Sequence, residues 1–202
     1  MPQEKLKIYG YRWVVLLAFM AVIFVNQMLW ITFASITGPA ARFYGVSDLA
    51  IAFLSLSFML VYVVVSIPAS WVIVGVGIGA VLTGVFGLMR GLLAADYTTV
   101  LIAQIGIAVG QPFLLNAITK VAARWFPLED RGTASGLGTL SMYGGQVVAL
   151  ALTPLLLLAL GMPATLMVYG VVAVVGAAVF LIFVREHPPT PASPAGDEVR
   201  SL

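Results

Sequence analysis

Residues 66–92 read SIPASWVIVGVGIGAVLTGVFGLMRGL, and they contain one proline and one charged residue, Arg90. The apolar run begins earlier, at Ile51, and continues to Ala95. One membrane crossing needs about 20 apolar residues, so this run is far too long for a single helix. No polar residue marks where one helix would end and the next begin. The position of the turn is therefore the first question that the sequence raises.

Composition indicates the class of protein. The chain has 202 residues, of which 61% are hydrophobic and 9% charged, and its mean hydropathy is +1.08. A water-soluble domain of this size could not bury so much apolar surface, so an integral membrane protein is predicted. The absence of cysteine excludes disulfides and thiolate sites. No nucleophile–base pair, metal-ligand cluster or phosphate loop is visible, so we expect no enzyme activity, cofactor, bound metal or nucleic acid.

The apolar segments predict an all-α bundle of six transmembrane helices, each suited to a hydrocarbon core about 30 Å thick. The predicted spans are residues 12–36, 48–72, 74–95, 98–120, 133–160 and 164–184. Residues 1–11 are predicted to be a cytoplasmic N-terminus and residues 12–185 the membrane domain. Residues 186–202 are rich in proline and alanine, which predicts a disordered cytoplasmic tail or a linker to a further half.

Six crossings place both termini on one side of the membrane, and the basic residues predict which side. Only Arg42 and Arg90 fall on or near the opposite side. The positive-inside rule makes the side with more basic residues cytoplasmic. That side carries Lys5, Lys7, Arg12, Lys120, Arg124, Arg131, Arg185 and Arg200. We expect a multi-pass protein of the plasma membrane with both termini in the cytoplasm.

The junction of the second and third predicted spans does not fit this scheme. It should be a cytoplasmic loop, yet it has no charge and no turn residue before Gly75. A hairpin exposed to lipid at that depth would leave backbone groups without hydrogen bonds. We therefore expect a basic loop of several residues to be missing between about Ile73 and Val74. The alternative is a tight hairpin at Gly75 and Gly77, since helix-to-helix loops can be as short as about two residues.

Two stretches carry a resemblance to a known family. Residues 106–138, GIAVGQPFLLNAITKVAARWFPLEDRGTASGLG, resemble the fourth helix, the cytoplasmic loop and the fifth-helix start of a major facilitator superfamily transporter. Residues 25–33, VNQMLWITF, and 110–116, GQPFLLN, resemble the feline leukaemia virus subgroup C receptor branch. Carriers of choline, ethanolamine or haem are discussed in that branch. The resemblance implies alternating-access transport of a small organic solute, with a cationic metabolite such as choline as one candidate.

The resemblance also implies two departures from the family pattern. Members carry a charged motif, G-x-x-x-D-R-x-G-R-R, between helices two and three, and this sequence lacks it where a polar loop is expected. Members also have twelve helices in two six-helix halves, and this chain supplies one half. The implied partner is a second half in the same longer chain, in a separate chain or in a second copy of this one. A homodimer is topologically allowed because the two halves are parallel repeats.

The polar residues inside the spans are neutral. No Asp, Glu, Lys or His lies near the middle of any predicted span, so the sequence offers no proton relay. Amide and hydroxyl groups facing lipid are costly, so we expect these stripes to line a cavity formed by helices one, two, four and five. The candidate substrate-binding residues are Asn26, Gln27, Trp30, Tyr62, Gln111, Asn116, Tyr143 and Gln146. Asn26 and Trp30 are predicted to share one helical face.

Trp30 and Gln111 are the strongest candidates in this set. The Trp30 ring would bind a cationic head group, worth about 2 kcal/mol or more when desolvated, and Gln111 would orient a hydroxyl or carbonyl. In the branch that the chain resembles, a first-helix Trp and a fourth-helix Gln line the quaternary-ammonium site, and they match these positions. The alternative is interhelical hydrogen bonding, worth about 0.6 kcal/mol per bond. Trp30 could also be an interfacial anchor.

Charged residues outside the cavity have other predicted roles. The loop RWFPLEDRG contributes Arg124, Glu129, Asp130 and Arg131, which the resemblance identifies as gating residues that pair with the absent motif. Arg90 is expected to snorkel to the head groups with Asp96 as its partner. The leading function is solute transport by half of a carrier. The alternative is a scaffold or accessory subunit that does not transport.

Overall fold

The computed structural model describes residues 8–71, 75–185 and 188–190. Over these ranges the chain forms eight α-helices. They are α1 (Arg12–Ile31), α2 (Thr37–Tyr44), α3 (Asp48–Trp71), α4 (Gly75–Leu92), α5 (Tyr97–Leu115), α6 (Ile118–Trp125), α7 (Leu128–Leu160) and α8 (Met162–Phe183). The expected basic loop at Ile73–Val74, residues 1–7 of the expected N-terminus and most of the expected tail lie outside the described residues.

Six apolar helical segments confirm the all-α membrane fold. Five of them are long and apolar enough to cross a membrane, and they are Arg12–Ile31, Asp48–Ala69, Tyr97–Trp125, Leu128–Leu160 and Met162–Phe183. The remaining predicted span corresponds to α4, whose apolar part Val76–Leu92 is shorter. Because an α-helix rises 1.5 Å per residue, the 18 residues of α4 extend about 27 Å, slightly less than a typical hydrocarbon core.

The first predicted span was too long. It ends at Ile31 rather than at residue 36, and part of the predicted loop is the helix α2. Pro39 lies in the first turn of α2, where its missing N–H costs no hydrogen bond. The helix stops at Gly45, whose φ of 66° is a left-handed conformation that glycine adopts without strain.

The fourth and fifth spans also differ from prediction. α5 ends at Leu115 and the short α6 follows, so the fourth span is interrupted at Asn116 and Ala117. α7 begins at Leu128, five residues before the predicted start. Pro127 precedes its first turn, and the acids at 129 and 130 suit the positive end of the helix dipole. The predicted loop RWFPLEDRG is therefore mostly helical.

The helices pack in a scheme with internal symmetry. α1 packs on α5, α7 and α8, while α4 packs on α5 and α8, and α3 packs on α5. If α1, α3 and α4 are exchanged with α5, α7 and α8, the same set of main pairs results. The short helices also correspond, because α2 follows α1 as α6 follows α5. The two halves of the described bundle thus share one arrangement of three spans and a short helix.

The sequence around the two short helices supports this correspondence. Residues 40–48 read AARFYGVSD and residues 122–130 read AARWFPLED. Both stretches contain the end of a short helix and the acidic start of a long one. Since three spans is an odd number, the two units run through the membrane in opposite directions, as in the inverted repeats of some transporters.

Glycines allow α4 to lie close to its neighbours. A Cβ atom built on Gly79 would lie 2.8 Å from the Gly110 carbonyl oxygen, and one on Gly110 would lie 2.9 Å from the Gly79 oxygen. A Cβ on Gly91 would lie 2.8 Å from the Met167 Cα in α8. Without side chains at these positions, α4 can approach α5 and α8 closely.

Candidate substrate-binding site

A cavity of about 460 Å³ lies between α1, α3, α5 and α7. These are the first, second, fourth and fifth spans, as the sequence predicted. Three aromatic rings and two methionines give the cavity an apolar surface with a few polar groups, and none of the described lining residues is charged. The lining consists of Gln27, Trp30, Met59, Tyr62, Val63, Gln111, Leu115, Met142, Tyr143 and Gln146.

Trp30 is held at the cavity wall by its neighbours. Its indole Nε1 donates a hydrogen bond of 2.9 Å to the backbone oxygen of Ser55 in α3. Its ring stacks against Phe58, with centroids 6.1 Å apart. Because the indole N–H is already bonded, the ring contributes its π surface to the cavity rather than a donor.

Gln111 supplies a polar group that has no partner among the described residues. The side chain lines the cavity and is only 4% exposed. Its amide atoms are not among the enclosed unpaired atoms of the described residues, so they face the open space of the cavity. An unpaired amide inside an apolar cavity is therefore a feature that a bound solute would satisfy.

A chain of hydrogen bonds crosses from α7 through α1 to α4. Gln146 Nε2 donates to Gln27 Oε1 at 2.9 Å, and Gln27 Nε2 lies 3.5 Å from Asn26 Oδ1. Asn26 Nδ2 donates to Thr83 Oγ1 at 3.0 Å. Asn26 lies about 40° from Trp30 around α1, but it bonds toward α4 and is not among the residues that line this cavity. Its contacts are those of an interhelical hydrogen bond.

Asn116 lies in a second cavity next to the first. This cavity of about 620 Å³ shares Tyr62 and Leu115 with its neighbour and also contains Lys120 in its wall. The Tyr62 hydroxyl donates to Asn116 Oδ1 at 3.0 Å, and Asn116 Nδ2 donates to the Ser66 oxygen at 3.3 Å. The interruption between α5 and α6 therefore places Asn116 between the two cavities and ties it to α3.

The sequence model of the Major Facilitator Superfamily matches residues 9–202. The chain belongs to this superfamily. It is 32% identical over 201 residues to solute carrier family 49 member A3 from Danio rerio, covering 92% of this chain and 42% of that protein. It is 33% identical over 160 residues to the choline/ethanolamine transporter FLVCR1 from Mus musculus, covering 74% of this chain and 28% of that protein. The predicted resemblance to this branch of transporters is confirmed.

A solved structure supports the same fold. A bacterial homologue of the human lysosomal transporter Spinster, in an inward-facing and occupied conformation, superposes with a TM-score of 0.80 at 18% identity. The match covers 95% of this chain and 48% of that one. The superfamily protein described here thus spans less than half the length of these relatives, and it is a multi-pass membrane protein with the fold of a partial superfamily bundle.

The predicted gating residues of this superfamily protein cluster at one end of the bundle. Arg12 at the start of α1 forms an ion pair of 3.2 Å with Asp130 at the start of α7. Arg131 is buried and donates through Nε to the Phe126 oxygen at 3.2 Å. Arg124 lies in the last turn of α6 and Glu129 in the first turn of α7. Trp125, which follows Arg124, donates a hydrogen bond of 3.2 Å to the backbone oxygen of Arg185.

Arg90 lies where sequence reasoning did not expect it. It is fully buried, and within the described part of the chain Asp96 is not in ion-pair distance of it. Asp96 instead caps α5, and its carboxylate accepts hydrogen bonds from the backbone and side chain of Thr99, which hold the pKa of Asp96 below its ordinary value. The predicted snorkelling of Arg90 is wrong. The spacing of Arg90 from Gln104 carried no signal of their contact, because the two lie on different helices.

Proposed function

We propose that this superfamily protein transports a small organic cation bearing a quaternary ammonium group, with choline as the first candidate, by alternating access. One observation carries the proposal: an uncharged cavity lined by Trp30, Tyr62 and Tyr143 also contains the unpaired amide of Gln111. Aromatic faces attract quaternary ammonium groups, whose methyl groups cannot donate conventional hydrogen bonds. The amide would bind the hydroxyl at the other end of the solute. Relatives named choline/ethanolamine transporters support the same choice.

A second six-helix bundle would complete the cavity. The least buried long spans are α7, with 17% of its apolar window buried, and α3, with 22%, against 61% for α1. Both α3 and α7 line the cavity, and they correspond under the internal symmetry. Their exposed cavity-side residues include Met59, Val63 and Tyr143. We infer that the second half packs against these two helices and closes the substrate path.

The proposed setting is the plasma membrane with both termini in the cytoplasm. The ion pair between Arg12 and Asp130 and the bond from Trp125 to the Arg185 oxygen bring three ionised residues to one end of the bundle. At the other end Tyr44 and Tyr97 bond to the oxygens of Ala94 and Ala50. Since the end with Arg12 carries most of the basic residues, the positive-inside rule supports a cytoplasmic location for it.

The decisive experiment compares choline with 3,3-dimethylbutan-1-ol, a neutral molecule of the same shape, as ligands of the full-length protein. Binding is measured by calorimetry in detergent, and labelled choline uptake is measured in proteoliposomes. We expect wild type to prefer choline strongly. Trp30→Leu should weaken choline binding by about thirtyfold, because a desolvated cation–π contact is worth about 2 kcal/mol. It should leave the binding of the neutral molecule nearly unchanged.

Trp13→Leu is the matched control. Trp13 lies on the same helix, is 40% exposed, and is not among the lining residues of the cavity. Its substitution should leave the ratio of choline to neutral-ligand affinity as in wild type. Equal binding of the two ligands by wild type would contradict the proposal of a cationic substrate. Folded protein that neither binds nor transports would favour the scaffold alternative.

A further inference from the structure

Arg90 is a buried cation whose partners are neutral. Its Nη1 donates to the Leu29 backbone oxygen at 2.9 Å and to Gln104 Oε1 at 2.6 Å, while Nη2 lies 3.4 Å from Thr32 Oγ1. The side chain is 0% exposed. Among the described residues, no carboxylate lies in ion-pair distance of it. A charge in a membrane-spanning helix is costly unless other groups stabilise it.

The end of α1 provides the compensating charge. Because α1 stops at Ile31, the carbonyl groups of Leu29 and Trp30 belong to the last turn, where no backbone N–H of the same helix follows to bond them. The C-terminal end of a helix also carries a partial negative charge. Arg90 therefore lies against the negative end of α1, and its guanidinium also lies 5.6 Å from the centre of the Phe33 ring.

Gln104 connects this contact to the cavity wall. Its Oε1 accepts from Arg90, and this contact orients the amide so that Nε2 faces α1. Nε2 lies 3.4 Å from the Trp30 oxygen and 3.5 Å from the Leu29 oxygen. The backbone of Trp30 is thus held by Gln104 in α5, while its indole is held by the Ser55 oxygen in α3.

We propose that Arg90 and Gln104 are positioning residues for the substrate site. They fix the last turn of α1, so that the Trp30 ring presents its face to the cavity in one orientation. Neither residue is among those that line the cavity. The inference rests on the proposed function for its ligand, but the position of the Trp30 ring can be measured without any ligand.

The test uses two substitutions in the full-length protein, in a background where Trp13, Trp71 and Trp125 are replaced by Phe. Gln104→Glu keeps the acceptor for Arg90 and adds a negative charge, but it loses the amide donor to the Trp30 oxygen. Thr83→Val is the control. It removes the hydrogen bond between Asn26 in α1 and Thr83 in α4 without touching the end of α1.

The two variants should show opposite patterns. Gln104→Glu should unfold at the wild-type temperature or above, because the buried guanidinium gains a counter-charge. It should nevertheless increase acrylamide quenching of Trp30 fluorescence and weaken choline binding by on the order of tenfold. Thr83→Val should lower the unfolding temperature and leave both the quenching and the choline affinity at wild-type values.

Two results would overturn the proposal. One is wild-type quenching of Trp30 in Gln104→Glu. The other is a quenching increase in Thr83→Val that matches that of Gln104→Glu, since this would mean that any loosening of the bundle moves the ring. The protein with only the three Trp→Phe substitutions is also tested for choline binding. If it binds no choline but the quenching pattern holds, the proposed substrate is wrong while the positioning role stands.

Discussion

Asn26 and Gln27 are neighbours in the sequence and lie on opposite sides of Trp30 on the surface of α1. At about 100° per residue, Asn26 lies roughly 40° from Trp30 around the helix and Gln27 roughly 60° from it in the other direction. The sequence predicts that both flank the ring, but it does not contain the direction of the cavity. Packing decides that Gln27 faces α7 and Asn26 faces Thr83 in α4.

This division predicts different effects of two adjacent substitutions. Asn26→Leu should lower the free energy of unfolding by about 0.6–2 kcal/mol through the lost bond to Thr83, and leave the choline affinity within about twofold of wild type. Gln27→Leu should weaken choline binding clearly, because Gln27 lines the cavity and orients Gln146. Chemical unfolding and calorimetry on the same preparations measure both quantities. Equal losses of affinity in the two variants would contradict the assignment.

Arg90 shows why one site could not be found from the sequence. An arginine one turn inside an apolar segment resembles a snorkelling residue, because the sequence shows no acidic partner at depth. Its partners are backbone oxygens, and they become available only because α1 ends at Ile31. The predicted extension of that helix to residue 36 would have provided these oxygens with backbone donors, so the two errors have one cause.

At the scale of the elements, length and hydropathy were sufficient for the long helices and insufficient for the short ones. α2 and α6 contain charged and small residues and have only eight residues each, so they resemble loops in a hydropathy profile. The helices that line the cavity were predictable, because amides and hydroxyls recur on their apolar surfaces. The pairing of α4 with α5 depends on the close contact between Gly79 and Gly110, whereas Gly132 and Gly136, which have the same four-residue spacing as other pairs in the sequence, make no such contact.

Substitutions at two glycines distinguish a glycine that is needed for close helix packing from one that is not. Gly110→Ala should lower the free energy of unfolding by about 1–3 kcal/mol, because its Cβ would lie 2.9 Å from the Gly79 oxygen and force α4 away from α5. Gly136→Ala should have no cost, and it should gain up to about 1 kcal/mol of helix propensity, since nothing lies within 4 Å of its Cβ. Reversible unfolding in mixed micelles measures the difference. Identical stabilities of the two variants would mean that the α4–α5 contact can relax.

For the whole molecule, the question is which exposed surface meets water and which meets lipid. The chain has no cysteine, so a thiol-reactive label on it marks only the cysteine that a substitution introduces. Val63 lines the cavity and is 70% exposed, while Val175 in α8 is 55% exposed and lies away from the cavity. Exposure alone does not separate the two environments, because a side chain that faces water and one that faces lipid both lie at the protein surface.

Cysteine labelling of the full-length protein in liposomes distinguishes them. We expect a water-soluble maleimide to modify Val63→Cys and choline to slow that reaction, because the side chain lines the proposed substrate path. Val175→Cys should react slowly with or without choline, since thiols in hydrocarbon remain protonated and out of reach of the reagent. Rapid labelling at position 175, or labelling at position 63 that choline leaves unchanged, would contradict the proposed path.

The exchange symmetry of the helix pairs has a consequence for the history and mechanics of this bundle. Duplication of a three-span segment would leave the observed pattern, and an odd number of crossings would turn the second copy upside down. What one copy presents to the outer leaflet, the other presents to the inner leaflet. Yet α8, which corresponds to α4, carries no ionised residue to match Arg90. The two units have therefore diverged, because the third span of one carries a buried cation and the third span of the other carries none.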